Sequence, residues 1–322
     1  MWVTSSLSTA LTPTAVALGN FDGVHRGHRR VIEPVLAQSH SGPESLKVTV
    51  VTFDPHPREF FTGQTRPLIT PLPEKVLQLK RLGIEQLVLL PFNQELSDLS
   101  PREFVEQVLL EQLQARHISV GSDFCFGYQR SGTAADLQKL AGEFGIQVTI
   151  VPLQLIQGER ISSSAIREAL DQGDLKRVNR LLGRPYSLTG EVVKGQQLGR
   201  TLGFPTANLK VSEEKLVPRS GVYCVRVSVS DSREPEANPS PPTSPNLLPG
   251  VMNIGYRPTI EGVGRTIEIH LLDWGGDLYG QTLTVLMEEF LRPEQKFASL
   301  EDLKAQIQVD CETARMILMA TT

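Results

Sequence analysis

Two histidines three residues apart, His25 and His28, stand in the run GNFDGVHRGH (residues 19–28), directly after the apolar stretch TAVAL. At that spacing two imidazoles share one face of a helical turn. They could donate hydrogen bonds to an anion as charge builds on it, or form half of a metal site. They could also be ordinary surface residues at a helix start. The glycines around them put the first reading ahead. A strand, a Gly-rich turn and a helix start together aim backbone N–H groups at an anion. No GxxxxGK[ST] and no GxGxxG occurs in the chain, so this is neither a Walker loop nor a dinucleotide fingerprint. No third ligand follows at zinc spacing.

Other segments hold polar residues next to predicted element ends. In TFDPHP (52–57), Asp54 and His56 either do chemistry or shape a turn. Asp123 and Gly127 in VGSDFCFGYQRSG (120–132) are equally good turn residues. Ser162, Ser163 and Ser164 open a helical pattern in which Arg167 follows, so capping and phosphate binding are both open to them. Further on, Gly195, Gly199 and Gly203 punctuate a loop that leads to Thr206 and Asn208 in the tetrapeptide PTAN. Glycines admit close approach of a phosphate, and hydroxyl and amide oxygens suit Mg²⁺. A plain glycine-rich hairpin explains the same residues. In TIEIHLL, Ile267, Ile269 and Leu271 alternate with Thr266, Glu268 and His270, which puts Glu268 on the face opposite the apolar set.

These residues must be carried by two kinds of architecture. In the first half, five aliphatic runs (14–19, 47–53, 85–90, 117–121 and 146–151) are separated by helical patterns. Residues 100–116 carry an N-cap at Ser100, Pro101 at the first helical position, a capping box at Glu103 and an apolar stripe of Phe104, Val105, Val108, Leu109 and Leu113. Residues 73–82 form another helix, with Gly83 as its stop. Strands alternating with helices predict a doubly wound parallel sheet, with ligands beyond the carboxyl ends of its strands. From Ser187 onward, SLTGEVVKG, GVYCVRVSVS, GRTIEIHLL and QTLTVLMEEF read as strands with no amphipathic helix between them, hence an antiparallel sheet or small barrel. The segment 231–249 carries six prolines and reads as a flexible excursion. A terminal helix follows, with Leu300, Leu303, Ile307, Cys311, Ala314 and Leu318 at helical spacing.

The bulk numbers set the class. At 322 residues, two domains are expected, and 40% hydrophobic content can fill both cores. The net charge of -4 and the lack of a long basic run argue against nucleic acid as the main partner. Three scattered cysteines offer no disulfide framework and fit a reducing cytoplasm. The start MWVTSSLSTA makes a poor signal peptide, and no apolar run approaches the ~20 residues of a membrane span, so a soluble cytoplasmic protein is expected. Homo-oligomerisation stays open.

GNFDGVHRGH resembles the nucleotidyltransferase signature of bacterial FAD synthetases, in which the two histidines of HxGH hold ATP phosphates. Three more stretches are similar to that family in the same order: TFDPHP to its flavin- and nucleotide-side loop, VGSDFCFGYQRSG to its GxDFxFGxxRxG segment, and ISSSAIREAL to its ISSTxIRxxL element. Ser164 stands where that pattern usually has Thr, which keeps the hydroxyl and loses a methyl. The resemblance implies that Gly19, Asn20, Phe21, Asp22, Gly23, Gly27, Asp54, Asp123, Gly127, the three serines and Arg167 bind ATP or flavin around His25 and His28. The second half, from LTGEVVKGQQLGRTLGFPTANL to FLRPEQKF, resembles riboflavin kinase, which bacteria commonly fuse behind FAD synthetase. That likeness implies Glu268 as general base, Thr206 and Asn208 at Mg²⁺, and Gly195, Gly199 and Gly203 at the nucleotide. The excursion at 231–249 departs from the family's shorter turn.

The resemblance therefore implies a Rossmann-like nucleotidyltransferase domain (1–184) followed by a small β-barrel riboflavin kinase domain (185–322) with a C-terminal helix. Its substrates and products would be riboflavin, FMN and FAD, with ATP and Mg²⁺. Two other readings remain: another HxGH nucleotidyltransferase acting on a small phosphorylated alcohol, and a flavin-binding module without chemistry.

Overall fold

The computed structural model describes residues 1–40, 45–195, 199, 203–230, 247–259 and 262–320. Residues 231–246, most of the Pro-rich excursion, lie outside them. The chain divides into two compact units, Met1–Ala165 and Ile166–Thr322.

The first unit is built on a six-stranded sheet of β1 (Trp2–Thr4), β2 (Thr14–Leu18), β3 (Lys47–Asp54), β4 (Gln86–Pro91), β5 (Ala115–Gly121) and β8 (Gln147–Val151). Their spatial order is β1-β4-β3-β2-β5-β8, and every neighbouring pair is parallel. Two short ribbons, β6 (Cys125–Phe126) with β7 (Gly132–Thr133) and β9 (Leu155–Ile156) with β10 (Glu159–Arg160), decorate it. All five expected strands are present, and β1 adds an edge strand. Helices cover both faces, which is why β2 is buried at every position. One apolar cluster centres on Phe104, Leu109 and Ile118, the other on Ile32, Val35 and Leu79. From β2 the chain winds outward to β3 and β4 on one side, then returns to β5 and β8 on the other. The switch point thus falls between β2 and β5, where a crevice beyond the strand ends accepts ligands.

The predicted helix after Ser100 is present and begins with the capping box, Ser100 N–H donating to Glu103 Oε2 at 2.8 Å. Its continuation, Phe104–Gln112, is wound as a π-helix. Leu113 N–H accordingly reaches back to the Val108 carbonyl at 3.0 Å. The wider turn still buries Phe104, Val105, Val108, Leu109 and Leu113. The helix Leu72–Arg81 stops as the sequence predicts, with Gly83 in the left-handed region at φ 90°.

In the second unit, β11 (Tyr186–Val193), β12 (Ala207–Val211), β13 (Gly221–Ser230), β14 (Leu248–Thr259), β15 (Gly262–Leu271) and β16 (Thr282–Arg292) close into a barrel. All pairs in it are antiparallel. Apolar side chains fill its interior, among them Leu188, Val225, Met252, Ile254, Ile267, Ile269 and Val285. Outside the wall, Val222, Cys224 and Val251 pack with Cys311, Ala314 and Leu318 of the C-terminal helix Leu300–Ala320. The expected stripe therefore docks through its later turns. Leu300 is 64% exposed, and with Leu303 it borders a cavity instead. A buried fork fastens the helix to the end of β16: Arg292 Nε donates to Asp310 Oδ1 at 2.9 Å, and Nη2 to Oδ2 at 2.7 Å. Cys125, Cys224 and Cys311 are all free thiols.

Candidate active sites

In the first unit the chain leaves β2 in a tight loop at the switch point. Gly23 takes φ 93°, and Phe21 and Val24 also lie in the left-handed region at 49° and 40°, where such side chains are rare. Backbone of this kind persists only where its surroundings over-determine it. Here Asp22, 7% exposed, accepts from Thr70 N–H through Oδ1 at 3.1 Å, while the Thr70 hydroxyl accepts from Gly23 N–H at 2.8 Å. The loop ends at His25, which caps the helix Arg26–Leu36 by accepting the His28 N–H on Nδ1 at 3.1 Å. A neutral ring that accepts on Nδ1 carries its proton on Nε2, the atom placed to donate. His25 is 5% exposed, so it is not a surface residue. The two imidazoles stack with centroids 3.5 Å apart and Phe21 tilts onto His28. A β-carbon at Gly27 would press on the His25 ring at 3.2 Å, and one at Gly19 on the Phe21 ring at 3.3 Å, so both glycines make room for the motif's own aromatic rings.

The serine segment joins the same loop. Ser163 Oγ donates to the Asp22 carbonyl at 2.8 Å, whereas Ser162 Oγ accepts the Ala165 N–H and acts as a cap; Ser164 is exposed. Arg167 follows on the same helix, Ser163–Gln172. Asp54 ends β3, and His56 caps the helix Pro57–Thr62 through Nδ1. Burial, partly opposed by Glu59, lowers the His56 pKa. Asp123 pairs with Arg160 at the end of β10, away from the turn of the β9–β10 ribbon. Gly127 has a packing reason for its residue type: at φ 72°, a β-carbon there would lie 2.8 Å from the Pro101 ring.

In the second unit, alternation along β15 puts Ile267 and Ile269 inside the barrel and Glu268 on its outer wall. Glu268 pairs with Asn208 on one side and Asn253 on the other. This wall does not face open solvent. A cavity of about 470 Å³ lies against it, lined by Thr206, Asn253, Glu268, His270 and Arg292 and bordered by Leu303 and Ile307 of the C-terminal helix. Gly199 also lines it. A β-carbon there would meet the Phe204 carbonyl at 2.3 Å and Thr206 Oγ1 at 3.2 Å, and one at Gly195 would meet Asn208 Nδ2 at 2.2 Å. The glycines thus lie directly over the two residues expected at the metal. Gly203, at φ 86°, lies in the left-handed region, and a β-carbon there would meet nothing within 4 Å.

Residues 7–165 match the FAD synthetase family and residues 182–318 the riboflavin kinase family. The bifunctional riboflavin kinase/FMN adenylyltransferase of Pseudomonas fluorescens is 41% identical over 93% of this chain and 91% of its own length. The protein of the same name from Escherichia coli K12 is 39% identical over 93% of this chain and 91% of its own. The chain belongs to the bifunctional riboflavin kinase/FMN adenylyltransferase family.

The Bacillus subtilis protein of the same name is 36% identical over 94% of this chain and 91% of its own. A solved structure from Streptococcus pneumoniae, named a macrolide-efflux protein, has a TM-score of 0.84 and 30% identity, covering 97% of this chain and 98% of that one. Among the described residues of this family member, no helix is long and apolar enough to cross a membrane.

Sequence reasoning missed several residues that this member brings to the two sites. Thr70 and Lys75 brace the first loop, yet they lie some fifty residues further along the chain. Asn253, His270 and Arg292 line the cavity. His270 Nδ1 lies 2.9 Å from the Pro205 carbonyl, directly before Thr206. Its place two residues from Glu268 on one strand was the available signal.

Proposed function

We propose that this chain makes FAD from riboflavin in two ATP-dependent steps, with phosphorylation in residues 185–322 and adenylyl transfer in residues 1–184. Membership of a family named for both activities is the observation that carries the pair of reactions.

In the barrel, Glu268 takes the proton of the riboflavin 5′-hydroxyl. The freed oxygen forms a bond to the γ-phosphorus of ATP, the bond to the β-phosphate oxygen breaks, and FMN and ADP leave. The position of Glu268 on a cavity wall beside Thr206 supports this role, because in-line phosphoryl transfer depends mainly on positioning and charge neutralisation. Thr206 and Asn208 offer a hydroxyl and an amide oxygen, donors of the type Mg²⁺ prefers, under glycines that leave no room for other side chains. They would hold the Mg²⁺ that accompanies ATP and offsets phosphate charge.

In residues 1–184, a phosphate oxygen of FMN forms a bond to the α-phosphorus of ATP and pyrophosphate departs. No covalent enzyme intermediate is needed, since the nucleophile is already an oxyanion. His25 and His28 donate to ATP oxygens as charge moves onto the leaving group, with the serines and Arg167 contributing further donors. The composition and the helix lengths suit a cytoplasmic enzyme. Incubation with riboflavin, ATP and Mg²⁺, with flavins separated by chromatography over time, tests the whole reading. FMN should rise first and FAD follow; neither product would end it. A nucleotidyltransferase for another phosphorylated alcohol leaves the riboflavin kinase-like barrel without a task.

A further inference from the structure

The helix Leu72–Arg81 carries a lysine where its buried stripe has space for a hydrocarbon. Lys75 lies four residues before the fully buried Leu79, on the same face of the helix, and is itself only 9% exposed. Its Nζ donates to the backbone carbonyl of Asn20 at 3.1 Å, and the Thr52 hydroxyl donates to the same oxygen at 2.9 Å. Burial lowers the lysine pKa, opposed by the nearby carboxylates Asp22 and Asp54. Asn20 opens the loop that leads to His25, and its amide oxygen is buried without a hydrogen-bond partner. The loop is therefore held at this point by its backbone rather than by that side-chain oxygen.

We propose that Lys75 is a positioning residue for adenylyl transfer, clamping the Asn20 carbonyl so that the loop from Gly19 to His25 keeps its phosphate-binding shape before ATP arrives. A methionine would fill the same space without the cost of desolvating an ammonium. Thr52 alone already satisfies one lone pair of the carbonyl. What the lysine adds is a second donor, placed within electrostatic reach of Asp22 and Asp54, the loop and strand-end carboxylates. This inference rests on reading the first unit as the adenylyl-transfer site.

Two full-length variants test it. Lys75→Met keeps the stem and removes the ammonium; Thr52→Val removes the other donor and keeps the charge. FMN-to-FAD conversion is measured at varied ATP, with riboflavin phosphorylation and thermal unfolding measured on the same samples. A loop that binds ground-state phosphates should show its loss mainly in KM, so Lys75→Met should raise KM for ATP by about tenfold or more while kcat changes less than about threefold. Thr52→Val should shift KM in the same direction by less, and riboflavin phosphorylation should match the unmodified chain. A fall in kcat at unchanged KM would assign the lysine to the transition state, equal loss of both activities would assign it to the core, and either would overturn the proposal. If Lys75→Met does not fold, an unchanged KM in Thr52→Val overturns it alone and a raised KM supports it. Absence of FAD from the unmodified chain would instead remove the adenylyl-transfer reading on which it stands.

Discussion

Glu268 stands directly across the β12–β15 ladder from Asn208, so the proposed general base and a proposed metal-side residue are cross-strand neighbours. Side chains so paired have β-carbons about 5 Å apart and emerge on the same face. The pairing sets the proposed base beside the proposed metal-side amide on one face of the barrel wall.

Replacing Glu268 with Ala should therefore slow FMN formation by about 10²- to 10⁴-fold, the usual contribution of a positioned base. Conversion of added FMN to FAD should continue at close to the normal rate, as followed by chromatography of the flavins.

His28→Ala should produce the opposite pattern, with adenylylation reduced by about 10²- to 10³-fold and riboflavin phosphorylation intact. His25→Ala should differ in one respect. Because His25 also caps the helix Arg26–Leu36, its loss should destabilise the fold by a further ~1 kcal/mol, seen as a lower Tm that His28→Ala does not share.

Asp310→Ala removes the buried partner of Arg292, whose side chain is 18% exposed against 6% for Asp310. An uncompensated buried charge of this kind costs about 3–5 kcal/mol. Both residues line the cavity, so KM for riboflavin should rise together with the loss of stability in denaturant unfolding.

Cys224 and Cys311 are buried, which raises their thiols from 9.0 to about 12 and about 11. The folded chain holds these protons more tightly than the unfolded chain does. Stability from them is complete below 9.0 and is lost as pH rises from there through 11 and 12. A thiol reagent at pH 8 should titrate Cys125 quickly in the native protein and all three cysteines only after unfolding.

Much of this was legible in the sequence where one face of an element is buried and the other is not. The stripe after Ser100 and the alternation around Glu268 carry that signature, whereas the runs 14–19 and 146–151 read as strands by their unbroken aliphatic and β-branched residues, β2 being buried at every position. The edge strand β1 did not, because only one of its three residues is buried. Strands β12 and β14 were hidden by the Pro, Gly and Asn residues in and beside them, which read as loops. The π-helical winding of Phe104–Gln112 was equally invisible, since its apolar spacing suits an α-helix as well. In the candidate sites, residues clustered in short motifs were found. Lys75, Thr70, Asn253 and Arg292 reach the same places through tertiary packing, and only the oddity of a lysine on an apolar stripe hinted at any of them.

The period of two along β15 has a practical corollary for anyone altering this strand. Substituting position 268 changes the outer wall and spares the apolar interior, whereas inserting a single amino acid ahead of Ile267 would exchange the two surfaces and drive the carboxylate inward. The barrel should thus tolerate many replacements at its reactive positions but almost no shift in reading along the strand.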